Sequence, residues 1–310
     1  MDIDGRKIAL LGRWQEMEGS GALAGDSQTG EKVGKQSPRR AAKRMPEKEY
    51  AGLLWEKDPY RFQNYCKGGT SSIFFPGCNL VGFFPKTAER LAELFAERGI
   101  GTVYDCCGKP VEELGLFGDA ERNLAALSQR LLQSGCRELI LACPNCYDYL
   151  KDRLPQEIRL VTVYRKLSEL GLGKKLAEGD PSEPGMPVYL PCPDRREQIF
   201  WKDLRAFLPE TAETKPFSGL QCCGLGGCAF LREPELAAEM TERAMETAKK
   251  SATQGAREPV LYTYCASCVS QFRRKGFAGA KHLLPMILET EEPLPGGARP
   301  VLNRALHRIK

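Results

Sequence analysis

The triplet Cys-Cys-Gly occurs twice in this chain, at residues 106–108 and 222–224. In each half a lone cysteine precedes the triplet by 28 or 30 residues, and a Cys-x-x-Cys pair begins 36 or 42 residues after its second cysteine. Ten of the thirteen cysteines therefore form two sets of five at parallel spacing. The first quintet is Cys78, Cys106, Cys107, Cys143 and Cys146, and the second is Cys192, Cys222, Cys223, Cys265 and Cys268. This repeat predicts two copies of one metal-binding module.

The composition is that of an ordinary soluble protein, with 42% apolar and 27% charged residues. No apolar run approaches the roughly 20 residues that span a bilayer, and the apolar block at Ile8–Leu11 is too short for the core of a signal peptide. The net charge of +5 is mild, and most Lys and Arg residues are interleaved with acidic ones. We therefore expect a cytoplasmic protein without a transmembrane segment or a nucleic-acid partner.

The cysteine count has a specific meaning in a reducing compartment. Thirteen cysteines there indicate metal ligands or redox groups rather than structural disulfides. The two histidines, His282 and His307, lie outside both quintets, so any metal must be held largely by thiolate. Soft thiolates favour iron–sulfur clusters or zinc. A single zinc ion needs only four ligands, so five cysteines favour a polynuclear cluster, with zinc at one site as the alternative.

Strands and helices are predicted to alternate along both halves. This pattern predicts an α/β fold of two tandem Rossmann-like modules, each with a parallel sheet. The predicted strands are 71–75, 102–105, 139–142, 159–163, 187–190 and 259–264. The predicted helices are 85–98, 119–134 with Asp119 as N-cap, one from Asn145, 195–207, 234–250, one after Cys265, 281–289 and 301–310. Because the cysteines follow predicted strands, we expect them at the C-terminal edges of the sheets, where α/β proteins bind ligands.

The same pattern divides the chain into five parts. They are a flexible N-terminal tail at 1–46, a first module at 47–170, a Gly/Pro-rich linker at 171–186, a second module at 187–291 and a C-terminal tail at 292–310. The aromatic-rich stretch 47–65 is expected either to pack over the first module or to dock a partner. The apolar side of 301–310 leaves the same two possibilities, a surface helix or a docking helix.

The quintets and their flanking residues resemble the CCG-domain family. Its best-understood type is the B component of heterodisulfide reductase, and the family includes iron–sulfur subunits of lactate-utilisation and glycolate oxidase systems. The resemblance spans about residues 70–290. The motifs that carry it are Phe75-Pro76-Gly77-Cys78, Cys106-Cys107-Gly108, Cys143-Pro144-Asn145-Cys146, Pro191-Cys192, Cys222-Cys223-Gly224 and Cys265-Ala266-Ser267-Cys268.

The resemblance implies that each quintet holds a noncubane [4Fe-4S] cluster, so that the chain carries one or two. It also implies that the two clusters face each other and split a disulfide between them. The chain would then be an oxidoreductase subunit that reduces a disulfide or a similar thiol substrate. No ferredoxin-type cysteine run is present, so electrons would come from a ferredoxin-like iron–sulfur protein or a flavoprotein. The alternatives are a non-catalytic electron-transfer subunit of a lactate/glycolate-type dehydrogenase complex and a structural zinc protein.

The sequence departs from the family in one place and leaves three cysteines over. Many relatives have a histidine after the lone cysteine of the second half, whereas this chain has Pro193-Asp194. This change affects the surroundings of the second site and its proton donor.

Cys66, Cys136 and Cys228 lie outside the quintets. We expect Cys136 to be a small buried residue. Cys228 is close enough in sequence to the second triplet to be an auxiliary ligand or a redox thiol.

Overall fold

The computed structural model describes residues 70–113, 116–177, 186–214, 217, 222–226, 233–251, 259–290 and 292–309. The predictions for the tail at 1–46, for the stretch 47–65, and for Cys66 and Cys228 lie outside these residues.

The first half forms a four-stranded parallel sheet. Its strands are β1 (Ser72–Phe75), β2 (Gly101–Thr102), β3 (Glu138–Leu141) and β4 (Arg159–Thr162), and their order across the sheet is β2-β1-β3-β4. Strand β1 ends in three fully buried residues, and all four residues of β3 are buried. Continuous apolar strands of this kind are typical of a parallel sheet that is covered on both faces.

The second half repeats this sheet. Its strands are β5 (Met186–Tyr189), β6 (Ala212–Glu213), β7 (Leu261–Thr263) and β8 (Ala280–His282), again all parallel, in the order β6-β5-β7-β8. Because the order matches that of the first sheet strand for strand, the structure confirms the prediction of two tandem α/β modules related by an internal repeat.

Helices connect the strands and cover the sheets. In the first half they are α1 (Cys78–Phe83), α2 (Pro85–Ala96), α3 (Lys109–Glu113), α4 (Phe117–Gln133), α5 (Pro144–Leu150) and α6 (Val163–Glu169). In the second half they are α7 (Ile199–Leu204), continued by a 3-10 turn at Arg205–Phe207, α8 (Pro234–Ser251), α9 (Ala266–Arg274), α10 (Leu283–Ile287) and α11 (Arg299–Ile309). Among the described residues, no helix combines the length and the apolar character needed to cross a membrane.

Three predicted elements were wrong in type or extent. The strand predicted at 102–105 is limited to β2, Gly101–Thr102. The helix predicted at 195–207 begins only at Ile199, because the carboxylate of Asp194 accepts hydrogen bonds from the amides of Phe200 and Trp201 and fixes the helix start there. The helix predicted at 281–289 is strand β8 followed by α10, and the ring nitrogen of His282 caps that helix by accepting from the Leu284 amide at 3.1 Å.

Two smaller details also differ from the prediction. Asp119 is not the N-cap of α4 but lies in its first turn, since the helix already begins at Phe117. The two-residue strand β6 has too few residues to show an alternating pattern in the sequence.

The two halves share one hydrophobic core. Tyr164 of the first half packs edge-on against Phe200 and Tyr264 of the second. The Thr162 hydroxyl at the end of β4 donates to Asp203 at 2.7 Å. The relative position of the two sheets is therefore set by buried contacts.

Helix α11 packs against α1 through its polar side. Asn303 donates to the carbonyl of Gly82 at 2.9 Å. Arg308 is buried, and its guanidinium lies 3.9 Å from the carboxylate of Asp105. His307 is also buried, between the ring of Tyr104 and the carboxylate of Glu89. The apolar side is therefore the exposed one, with Val301, Leu302 and Leu306 exposed by 43%, 46% and 46%.

Candidate metal centre

The strands of each sheet bring the cysteines to one edge. Strand β2 lies on one side of β1, and the chain then crosses over to place β3 on the other side. The crevice beyond the C-terminal ends of β1 and β3 is therefore a topological switch point, where α/β sheets bind ligands. Cys78 begins the helix that follows β1, and Cys143 directly precedes the helix that follows β3. Cys192 and Cys265 occupy the matching places after β5 and β7.

All five cysteines of the first quintet lie together. The Sγ atoms of Cys106 and Cys78 are 3.9 Å apart. The sulfur of Cys107 lies within hydrogen-bond range of Cys106 and Cys146, and Cys146 is also within range of Cys143. The site thus joins residues up to 68 positions apart in the sequence.

The second quintet is assembled in the same way. Cys223 lies within hydrogen-bond range of Cys222 and Cys268, and Cys268 is also within range of Cys265. Cys192 is close enough for its charge to raise the pKa of Cys222. In both halves, therefore, the last cysteine of the Cys-x-x-Cys pair bridges the second cysteine of the triplet and the first cysteine of its own pair.

The local backbone explains how each Cys-x-x-Cys pair turns two sulfurs toward one point. Cys143 and Cys265 are the N-cap residues of α5 and α9, with extended backbone angles. Cys146 and Cys268 follow one turn later, and residues three apart lie on the same face of a helix. Pro144 suits the first position of α5, where its fixed φ angle fits the helix and no amide hydrogen is needed.

Gly77 leaves room for cysteine side chains, and Gly224 leaves room for the backbone of helix α8. Gly77, which precedes Cys78, has a φ of +78°, and a Cβ there would lie 3.0 Å from Cys143 Cβ and 3.2 Å from Cys146 Sγ. Gly224, the glycine of the second triplet, has a φ of +74°, and a Cβ there would lie 2.3 Å from the carbonyl oxygen of Ala237. The amide of Gly224 donates to Cys222 Sγ at 3.4 Å. Both positions need a residue without a side chain.

Hydrogen bonds between thiols give the first site an anionic character. Donation from Cys106 and then from Cys146 lowers the pKa of Cys107 to about 5, and the bond from Cys146 lowers the pKa of Cys143. The donor, Cys146, has its pKa raised by the same bonds and by burial. Thiolates are the metal-binding form of cysteine.

The second site is more deeply buried. Its hydrogen bond to Cys223, followed by desolvation, raises the pKa of Cys222, and the bonds to Cys223 and Cys265 raise that of Cys268. Burial, followed by the charges of nearby cysteines, also raises the pKa of Tyr189. Negative charge is therefore costly here until a cation compensates it.

The two sites meet at the interface between the halves. The side-chain amide of Asn145, inside the first Cys-x-x-Cys pair, donates to Cys265 Sγ at 3.7 Å. Asn79, next to Cys78, donates to the hydroxyl of Ser267, inside the second pair. The sequence pattern did not predict a functional role for Asn79, Asn145 or Ser267, although two of them lie within the Cys-x-x-Cys motifs.

Asp194 lies where many relatives have a histidine. Its hydrogen bonds hold the start of α7 and the ring of Tyr264 in place. Besides the amides that start α7, its carboxylate accepts from the hydroxyl of Tyr264 at 2.6 Å. Burial raises the pKa of Asp194 despite these bonds. Cys136 is fully buried and contacts the carbonyl oxygen of Glu138 at 3.4 Å, as expected for a small core residue.

The donor set fits a metal group held by thiolate. Among the described residues, no three His, Cys, Asp or Glu side chains are arranged to hold a metal ion. Each quintet nevertheless brings cysteine sulfurs from separate parts of the chain close together, and soft thiolates suit iron–sulfur clusters or zinc. A buried polar atom supports this fit, since the Tyr164 hydroxyl has no hydrogen-bond partner within the described part of the chain and lies near Cys265.

Comparison with known families agrees with this geometry. The model of the CCG family, described as a cysteine-rich domain, matches residues 72–151 and 201–273. The chain carries the CCG domain twice. The first matched segment contains the whole first quintet, and the second contains every member of the second quintet except Cys192.

Comparisons with individual proteins do not identify a relative that supports a function. No curated protein matches the chain. Two similar solved structures are an aspartate racemase from Picrophilus torridus and a glutamate racemase from Bacillus anthracis. The aspartate racemase is 11% identical, with a TM-score of 0.34, and the match covers 76% of this chain and 100% of the racemase chain. The glutamate racemase is 14% identical, with a TM-score of 0.33, and the match covers 72% of this chain and 80% of the racemase chain. Both TM-scores are below 0.5, so we draw no conclusion from them.

Proposed function

We propose that this CCG protein is an iron–sulfur oxidoreductase subunit of the heterodisulfide reductase B type. It would bind up to two noncubane [4Fe-4S] clusters and reduce a disulfide or a similar thiol substrate. One observation carries the proposal. The two quintets have the same pattern of sulfur contacts, and the polar pairs Asn145–Cys265 and Asn79–Ser267 join their edges.

Each quintet would supply the ligands of one cluster. Cys78, Cys106, Cys107, Cys143 and Cys146 would hold the first, and Cys192, Cys222, Cys223, Cys265 and Cys268 the second. Five sulfurs exceed the four that a zinc ion takes, and the extra sulfur suits a group of several irons. Zinc at one of the sites remains the alternative.

The reaction would consume one disulfide, two electrons and two protons and yield two thiols. When bound, the clusters would take electrons from a partner and pass them to the substrate. That partner would be a ferredoxin-like iron–sulfur protein or a flavoprotein in the cytoplasm. The contribution of the chain is to fix the distance between the two sites, because buried rings such as Tyr164 and Phe200 lock the halves together.

Anaerobic purification followed by iron, sulfide and zinc analysis tests this function. We expect about eight iron atoms per chain, as two four-iron clusters require. We also expect an EPR signal that changes when a thiol or disulfide substrate is added. Cubane-type signals that are indifferent to thiols would instead indicate a non-catalytic electron-transfer subunit of a lactate/glycolate-type complex. A colourless protein with stoichiometric zinc would contradict the proposal and indicate a structural zinc protein.

A further inference from the structure

Asn145 belongs to one site by sequence and contacts the other site in space. It lies between two cysteines of the first quintet, yet its side-chain amide donates to the sulfur of Cys265 in the second quintet, 120 residues away. Asn145 is half-buried and Cys265 is 1% exposed. The contact is therefore partly shielded from water. A hydrogen bond has a larger electrostatic effect in such a shielded place than in water.

A second polar group of the first half lies within electrostatic range of the same cysteine, since burial and then the charge of Cys265 raise the pKa of Tyr164. Tyr164 is completely buried, and its hydroxyl has no hydrogen-bond partner among the described residues. The ring is held in place by edge-on contacts with Phe200 and Tyr264, the residue just before Cys265. A buried hydroxyl without an acceptor is destabilising, so a cluster sulfur next to Cys265 would give it the partner that the polypeptide does not provide.

The second pair, Ser267 of the second half and Asn79 of the first, does not involve a cysteine. Ser267 occupies the place in the second Cys-x-x-Cys pair that Asn145 occupies in the first. Its hydroxyl pairs with the amide of Asn79 at 2.5 Å and not with a sulfur. Ser267 therefore offers a matched control, because its substitution removes a polar contact from the same interface without removing a donor to a cysteine.

We infer that Asn145 and Tyr164 of the first half raise the reduction potential of the cluster held by the second quintet. The inference rests on the proposed function, because it requires a cluster at that site. Hydrogen bonds to cluster sulfurs stabilise the more negative, reduced state and so raise the potential. The first half thereby sets the potential of a site whose ligands all come from the second half.

The test is a potentiometric titration of the full-length protein, followed by EPR. Asn145→Leu keeps a side chain of similar size without the donor, and Tyr164→Phe removes only the hydroxyl. A Cys107→Ser variant, which lacks a first-site ligand, identifies the signal of the second cluster. We expect Asn145→Leu to disfavour reduction of the second cluster about tenfold, which is about 59 mV for a one-electron couple. Tyr164→Phe should have a smaller effect of the same sign.

A second readout reports on the hydrogen bond itself. The second-cluster EPR signal should show couplings to exchangeable protons that disappear in D2O. Asn145→Leu should remove one of these couplings, whereas Ser267→Ala should keep them all. Iron and sulfide content, measured for every variant, shows that the cluster is still assembled.

Three results would overturn the inference. One is two intact clusters whose potentials do not change in Asn145→Leu or in Tyr164→Phe. Another is an equal shift in Ser267→Ala, which would mean that interface packing alone sets the potential. The third is zinc in place of iron in the unmodified protein, which would contradict the proposed function as well and is distinguished from the other two by metal analysis.

Discussion

The first and second quintets share one pattern of sulfur contacts but differ in how much water reaches them. In the first, Cys78, Cys106 and Cys143 are half-buried, whereas in the second only Cys192 is. The shared pattern follows from the strand order, which is the same in both sheets. The difference follows from the elements packed around each site. The shared strand order thus accounts for the shared sulfur contacts, and the surroundings of the two quintets differ.

The pKa values show the consequence of this difference. In the first quintet, hydrogen bonds lower the pKa of Cys107 to about 5. In the second, the hydrogen bond to Cys223 and burial raise the pKa of Cys222. In both quintets the last cysteine of the Cys-x-x-Cys pair, Cys146 or Cys268, has its pKa raised by its sulfur contacts and by burial.

Removing one bridging cysteine from each half is expected to have the largest effect. Cys146→Ser and Cys268→Ser should each lower the iron content from about eight to about four atoms per chain, because each removes a ligand from one site only. Iron and sulfide analysis with EPR measures this. Cys136→Ser, a buried cysteine outside both quintets, is the control and should leave the iron content unchanged. Loss of all iron in either variant would show that the two sites do not assemble independently.

Gly77 and Gly224, the two positive-φ glycines next to the quintets, should respond differently to substitution by alanine. Gly224→Ala places a Cβ 2.3 Å from a helix carbonyl, so strain and overpacking should cost about 3 kcal/mol or more of unfolding free energy. Gly77→Ala presses on two cysteine side chains and should mainly reduce the iron content of the first site. Denaturant unfolding with iron analysis separates the two effects.

Gly99→Ala is the control for these glycine substitutions. It has a φ of +70° and nothing within 4 Å of the added Cβ. It should therefore show only the backbone cost of about 1–2 kcal/mol. If Gly224→Ala is no worse than Gly99→Ala, the close approach to α8 is not a constraint.

Acid should weaken the second half through His282, which has no titrating counterpart in the first. The matching helix cap there is Thr162, whose hydroxyl accepts from the Arg165 amide. Burial lowers the pKa of His282 from 6.5 to about 3, so the unfolded chain takes up a proton that the folded chain refuses. Unfolding free energy should fall by about 1.4 kcal/mol per pH unit below about 6.5, until the folded pKa is reached.

The variant that checks this is His282→Asn, which keeps a capping acceptor and removes the titrating group. Its unfolding free energy should depend less on pH between about 6.5 and 4 than that of the unmodified protein. Denaturant titrations at several pH values measure the slope. An unchanged slope would show that other groups cause the acid sensitivity.

The smallest effect concerns two buried tyrosines with opposite hydrogen-bond status. Tyr164→Phe removes a hydroxyl without a partner among the described residues and should stabilise the metal-free protein by about 1 kcal/mol. Tyr264→Phe removes the donor to Asp194 and should destabilise it by about 1–3 kcal/mol. Thermal unfolding of the metal-free protein measures both. A loss of stability in Tyr164→Phe would contradict the unpaired state of its hydroxyl in the described part of the chain, and a gain in Tyr264→Phe would contradict its hydrogen bond to Asp194.

Several features could be predicted from the sequence because they depend on local pattern. The apolar runs before Cys78 and Cys143 predict buried strands, and the repeated spacing predicts two modules. The prediction that every cysteine directly follows a strand holds for Cys78, Cys143, Cys192 and Cys265, whereas β2 and β6 end four and nine residues before their triplets. Other features could not, because partners distant in the chain decide them. The start of α7 depends on Asp194 and its contacts, and strand β8 forms only by pairing with β7.

The sequence by itself determined the α/β class, the repeat and the two sets of five cysteines, since strand and helix periodicity and residue spacing are properties of neighbouring residues. Only the tertiary structure decided that Asn145 contacts a cysteine of the opposite half and that α11 buries its polar side. These outcomes depend on which surfaces meet when the two sheets share one core, and no local pattern encodes that meeting.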